Sequence, residues 1–205
     1  MDKKIDNAKS YDLISDNWQK FRNSTAINKC VVDFAKLIAP NGHVLDIGCG
    51  TGYPVAHYLS LHNFTVTGID VSREMIAKAK ALKLPNAVFL NREVLDFSSD
   101  IRYDAVIAFD SLWHIAKSEQ AEVYRKISCL MKDGAYFLFT HGKRNDERVG
   151  TMFNQPFYYG ALDIYELNTI FSETGLKIIS LTEDYKEQTM GERDLLVIAQ
   201  KQRLF

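Results

Sequence analysis

Three glycines at alternate positions, Gly48, Gly50 and Gly52, follow directly on the short apolar run HVLDI (His43 to Ile47). Pro54 then suits the first turn of a helix, and VAHYLSL continues it. A strand that enters a glycine turn and leaves as a helix commonly holds part of a nucleotide against main-chain N–H groups. The same three glycines also serve as plain turn punctuation where no ligand is present. Around this unit the chain alternates helix-like and strand-like segments. FTVTGID (64–70), NAVFLN (86–91), YDAVIAF (103–109) and AYFLFTH (135–141) have the short apolar character of buried strands. Helical periodicity marks 11–22, 25–38, the run REMIAKAKAL with Ser72 as its cap, and SEQAEVYRKISCLM with Ser118 as its cap.

The alternation predicts an α/β fold: a doubly wound, seven-stranded, mostly parallel Rossmann-like sheet. Two final strand-like runs, 176–185 and 193–201, have no helix between them, so an antiparallel strand is expected at one edge. One domain is expected over residues 1–205. Its parts are N-terminal lid helices (1–40), a cofactor-binding core (41–141), an insertion or lid loop (142–160) and a C-terminal helix with the strand pair (161–205).

The spacing narrows the nucleotide. A dinucleotide site wants GxGxxG, and the position of its third glycine is Tyr53. That disfavours a dinucleotide oxidoreductase. No Lys follows at the P-loop spacing. Asp70 ends the second strand, where a carboxylate can accept from both hydroxyls of a ribose. Glu93 follows the third strand on the same edge.

The ordered set VLDIGCGTG, GIDVSREMIAKAK, VLDF, YDAVIAFDSLWHI and MKDGAYFLF resembles the successive motifs of class I S-adenosylmethionine-dependent methyltransferases. The closest likeness is to the small-molecule, ubiquinone-biosynthesis-like branch. The resemblance implies S-adenosylmethionine as cofactor, with Asp46, Gly48, Cys49, Gly50 and Gly52 around its methionine and ribose parts. It implies Asp70 on the ribose hydroxyls, Val71 and Met75 on the adenine, and Phe109 and Asp110 beside the methionine end. Glu93 stands where the family usually has Asp, with the main chain of Val94 reading the ring edge. A Cβ at Gly50 is expected to stand between main chain and ligand.

Tyr11, Trp18 and Arg22 share one helical face. A helix of this kind lids the cofactor in the family, with Arg22 meeting the methionine carboxylate and Tyr11 or Trp18 facing the sulfonium. The alternative is an apolar stripe that docks the helix. His114 and His141 both fall just past strand ends, where either would serve as a base if the acceptor must lose a proton. The alternatives are a turn cap for His114 and a bond to the following loop for His141. Trp113, Tyr158 and Tyr159 are candidate walls for the acceptor, the two tyrosines alternatively pinning their own loop.

Net charge is −1, which supplies no global field for nucleic acid or anionic lipid. No apolar run approaches the roughly 18 residues of a membrane span, and no signal pattern opens the chain. Three cysteines without a CxxC pair fit the reducing cytoplasm, and no zinc or other metal site is expected. The Asn/Asp-Pro-Pro-Tyr signature of amino-group methyltransferases acting on adenine or glutamine is missing after the fourth strand. A small-molecule acceptor is the expectation; a non-catalytic cofactor-binding protein on the same fold is the alternative.

Overall fold

The computed structural model describes residues 5–187 and 190–203. Helix α1 (Asn7–Asn23) opens the chain, its N-cap Asp6 accepting from the Lys9 N–H. Then come α2 (Lys29–Ala35), β1 (His43–Ile47), α3 (Val55–Leu61), β2 (Thr65–Asp70), α4 (Arg73–Ala81), β3 (Ala87–Asn91) and β4 (Tyr103–Ala108). A 3₁₀ turn (Leu112–His114) leads to α5 (Lys117–Leu130), β5 (Met131–His141), β6 (Asp146–Met152) and β7 (Gln155–Ala161). The chain ends on α6 (Ile164–Thr174), β8 (Leu176–Glu187) and β9 (Met190–Lys201).

Seven strands form one sheet in the order β3-β2-β1-β4-β5-β9-β8. Pairing is parallel from β3 through to β5, and β9 runs antiparallel between β5 and β8. Strand periodicity sorts the core into two faces. Leu45, Val106, Ala108, Phe137 and Phe139 pack with Tyr124 of α5 and Phe171 of α6. Val44, Ala105, Ile107 and Leu138 pack against α2, α3 and α4. The order reverses between β1 and β4, so a crevice opens beyond the carboxyl ends of those strands.

Two local expectations are corrected. The stretch 142–160 is not a loop: it holds the antiparallel hairpin β6–β7, a separate two-stranded sheet. Its turn is Phe153–Asn154, both at positive φ (49° and 61°), the signs of a type I′ connection. Phe is a poor residue for that geometry, which is why the turn does not announce itself. Ser118 is not the cap of α5, which begins one residue earlier, with Ala116 at the N-cap and no capping side chain of its own. The Lys117 N–H donates instead to the Tyr158 hydroxyl (2.9 Å), so the hairpin caps the helix. The Ser72 cap of α4 is present, accepting from the Met75 N–H.

Among the described residues no helix is long and apolar enough to cross a membrane. Nor do three or more His, Cys, Asp or Glu side chains among them converge as metal ligands.

Candidate active site

The crevice holds a cavity of about 770 Å³. Its floor is the glycine turn. The N–H groups of Gly48 and Cys49 both donate to the Ile69 carbonyl (2.8 and 3.1 Å), which ties the turn to the end of β2. Asp70 braces it from the side: Oδ2 accepts from the Gly50 N–H (2.9 Å) and Oδ1 from the Ser72 N–H (2.8 Å). Burial raises the Asp70 carboxyl to about 6 even though these main-chain donors pull it down.

Gly48 sits at φ +74°, and a Cβ there would lie 2.3 Å from the Cβ of Ser111. At Gly50 the expectation is a Cβ standing between main chain and ligand, on a strained φ. Its ideal Cβ meets only the Trp18 indole nitrogen at 3.5 Å, so its φ of +54° is the constraint within the protein. Gly52 does not line the cavity. It lies against Phe89, Leu82 and Ala79, where it closes the packing of β3 and α4.

Asp46 is 3% exposed, and its Oδ2 has no hydrogen-bond partner. Burial first, and then the Asp70 charge, raise it to about 7, with Arg22 acting in the opposite sense. Its proton is therefore taken up on folding, and stability falls as pH rises from the unfolded value near 4 through 7. Asp46→Asn should stabilise the ligand-free protein by roughly 2–4 kcal/mol at pH 8 and by far less near pH 4. Urea titrations of both proteins at the two pH values test this; a pH-independent difference would reject it.

Helix α1 roofs the crevice, attached by polar contacts and by Tyr11 packing on Phe157, their ring centres 4.8 Å apart. Asp12 Oδ1 accepts from the Ser72 hydroxyl (2.6 Å) and the Glu74 N–H (3.1 Å). The Ser10 hydroxyl donates to the Pro156 carbonyl (2.7 Å). The Asn7 amide donates to the carbonyls of His114 (3.1 Å) and Tyr158 (3.0 Å), and its oxygen accepts from the Tyr158 N–H (2.9 Å). From this roof Tyr11, Trp18 and Arg22 face the cavity. Arg22 is 6% exposed, with its guanidinium carbon 5.7 Å from the Trp18 ring centre.

His114 lines the cavity with its protonation pattern fixed by its neighbours. Nδ1 lies 2.9 Å from the Tyr158 carbonyl, which can only accept, so Nδ1 carries the hydrogen. Nε2 then accepts from the Tyr11 hydroxyl at 2.9 Å and from the Trp113 indole N–H at 3.3 Å. Burial lowers this imidazole to about 4. Trp113 and Tyr159 do not line the cavity. Both support His114 instead, the Tyr159 ring centre standing 4.8 Å from the imidazole.

His141 is the clearest correction. It is 1% exposed and lies outside the cavity, among the rings of Tyr124 and Phe139. Its Nδ1 bonds to the Gly142 carbonyl (2.8 Å), in keeping with the loop-bond alternative.

Cys49, Val71, Met75, Glu93, Val94, Phe109, Asp110 and Tyr158 all line the cavity. Asp110 is held at φ +58° by a bidentate pair with Arg193 of β9 (Nε–Oδ1 2.9 Å, Nη2–Oδ2 2.5 Å). Its N–H donates to Thr140 Oγ1 (2.8 Å). Arg193 and Asn7 have no local sequence signature, since their partners lie 83 and 107 or more residues away.

Residues 44–134 match the family model described as "Methyltransferase domain". The chain is 28% identical over 174 residues to the (+)-O-methylkolavelool synthase of Herpetosiphon aurantiacus, covering 77% of this chain and 59% of that protein. It spans between 32% and 59% of the length of the first curated relatives it matches. Among solved structures, the CcbJ methyltransferase of Streptomyces caelestis superposes with a TM-score of 0.74 at 17% identity, over 97% of this chain and 100% of that one. The magnesium protoporphyrin IX methyltransferase of Synechocystis, solved with bound SAH, gives 0.72 at 17% identity, over 95% and 98%. These likenesses establish the shared fold.

Proposed function

We propose that this chain, which carries a methyltransferase domain on the class I S-adenosylmethionine-dependent fold, moves a methyl group from S-adenosylmethionine to a small-molecule acceptor. The observation that carries this reading is the unpartnered Oδ2 of Asp46, buried at the wall of a cavity whose floor is the glycine turn. A buried carboxylate oxygen without a donor marks the place of a missing one. The other residues fit the same cofactor. The two Asp70 oxygens keep lone pairs free for ribose hydroxyls after accepting from Gly50 and Ser72. Arg22, buried under Trp18, supplies the cation for a methionine carboxylate. Val71 and Met75 offer apolar surface to the adenine, with Glu93 and the Val94 main chain at its edge.

When bound between Asp46, Asp70 and Arg22, the cofactor would supply an electrophilic methyl to an acceptor lone pair. The protein's work is alignment and exclusion of water. α1 and the β6–β7 hairpin close the cavity from above through Asn7 and Ser10. His114, neutral and already accepting from Tyr11, fixes the phenol rather than serving as a ready base. The acceptor is a small molecule rather than a nucleic acid, in keeping with a cavity of about 770 Å³ and the net charge of −1. A cytoplasmic setting agrees with Cys30, Cys49 and Cys129 all being free thiols.

Thermal denaturation tests the cofactor. S-adenosylmethionine or its demethylated product should raise the melting temperature, and NAD should not. Asp70→Ala should weaken cofactor binding by roughly 2–4 kcal/mol in calorimetry, as loss of charge-assisted bonds predicts. A larger shift with NAD, or an unchanged affinity in the variant, would sink this reading. Turnover with methyl-labelled cofactor in a metabolite extract then separates an enzyme from a non-catalytic binder.

A further inference from the structure

Besides Tyr11 and His114, the cavity is lined by apolar residues around α5 and the β6–β7 hairpin and by carboxylates. Ile115 and Ala116 line it together with Val123 of α5 and Val149 of β6. Glu119 of α5 and Glu147 of β6 also line it, and Asp6 adds a third carboxylate at the start of α1. Strand periodicity sorts the charges of the hairpin. Glu147 and Val149 face the cavity, whereas Arg148 between them lays its guanidinium carbon 5.6 Å from the Tyr159 ring centre on the other side.

Glu147 is aimed by a neutral partner. The Tyr158 hydroxyl, which accepts from the Lys117 N–H, donates to Glu147 Oε1 at 2.7 Å. Tyr158 fits there because position 160 is glycine: a Cβ on Gly160 would lie 2.3 Å from the Tyr158 hydroxyl oxygen. Neither glutamate forms an ion pair among the described residues. The cations among the described lining residues are Arg22 and Arg92. Arg22 interacts electrostatically with Asp110 and Asp46, and Arg92, just after β3, donates to the Asn91 carbonyl (2.9 Å). That the cavity receives a ligand does not rest on these acids. It rests on the separate, buried and unpartnered Oδ2 of Asp46, which lines the same cavity.

We infer that the acceptor is an apolar molecule carrying an ammonium group, which Glu119 and Glu147 hold at the hairpin side of the cavity. This deepens, and rests on, the methyltransferase reading of the site. A carboxylate or phosphate in the same place would face two unneutralised charges and is selected against.

The test uses three probes of one shape, hexylammonium, hexanol and hexanoate, titrated into the full chain with and without SAH and followed by protein-detected NMR. Hexylammonium should bind about fivefold more tightly than hexanol, with hexanoate weakest, the scale of two partly exposed charge contacts. Glu119→Gln combined with Glu147→Gln should erase the preference and leave SAH affinity unchanged. Both side chains are exposed, so the variant keeps its fold. Equal binding of the three probes, no binding of any, or a preference that survives the double substitution overturns the inference. SAH binding is read in the same titrations. Its failure counts against the methyltransferase reading, and loss of the amine preference with SAH still bound counts against the acceptor class alone.

Discussion

Arg193→Met is expected to destabilise the protein by about 3–5 kcal/mol, the usual cost of stripping one partner from a buried ion pair. The Arg193 side chain is 6% exposed and that of Asp110 16%, and two parallel N–H···O contacts join them. Arg193 Nη1 also donates to the Gly191 carbonyl (2.5 Å), and its guanidinium carbon lies 5.3 Å from the centre of the Phe109 ring. Removal leaves a carboxylate at the cavity wall, on a residue already at positive φ, with Thr140 as its remaining hydrogen-bonding side chain. Urea unfolding measures the loss. The double variant Arg193→Met with Asp110→Asn should recover a large part of it, because no charge is then stranded. A single variant within about 1 kcal/mol of the natural protein would show that the pair contributes little, as exposed pairs do.

The second large effect belongs to the glycine turn. Gly48→Ala should cost roughly 2–4 kcal/mol and greatly weaken cofactor binding. The added methyl would meet the Ser111 Cβ at 2.3 Å, an atom fixed by main chain. Ser111 is itself anchored through its hydroxyl to the Ile47 carbonyl (2.8 Å), so the neighbour cannot give way cheaply. Gly50→Ala has only its φ against it and should cost about 1–2 kcal/mol. Pairing Gly48→Ala with Ser111→Gly should restore the steric share and leave the conformational one. Equal losses at Gly48 and Gly50 would remove the clash from the account.

How far the sequence carried the site follows from which contacts are local. β1, β2 and β4 are buried strands whose ends are marked by Asp46, Asp70 and Phe109–Asp110, so the residues at the carboxyl edge could be placed in order. The helical face of Tyr11, Trp18 and Arg22 was equally readable, since a repeat of seven and four needs no tertiary information. What α1 attaches to was not. Asn7 earns its place only because β7 arrives beside it, 151 residues later. The hairpin stayed hidden behind Phe153–Asn154, which reads as an apolar residue in a polar loop. Position after a strand also misplaced His141. His114, in the 3₁₀ turn after β4, ended in the cavity wall, and His141, the last residue of β5, ended in the core.

The β6–β7 hairpin forms a sheet of its own and shares no ladder with the seven strands that carry the glycine turn. Substitutions or insertions in it therefore leave the register of β1, β2 and β4 unaltered. Its hold on the rest runs through the side chains of Asn7, Ser10 and Gln120 and the Tyr158 hydroxyl, each meeting main-chain atoms, and through the rings of Phe157 and Tyr159 on Tyr11 and His114. Main-chain partners are present whatever side chains the opposite strand carries. Gene duplication followed by drift in this hairpin outside Phe157, Tyr158 and Tyr159 would thus retune which molecule is admitted while the machinery below stays constant, and grafting a foreign hairpin that keeps those three residues between Lys143 and Leu162 is the matching engineering route.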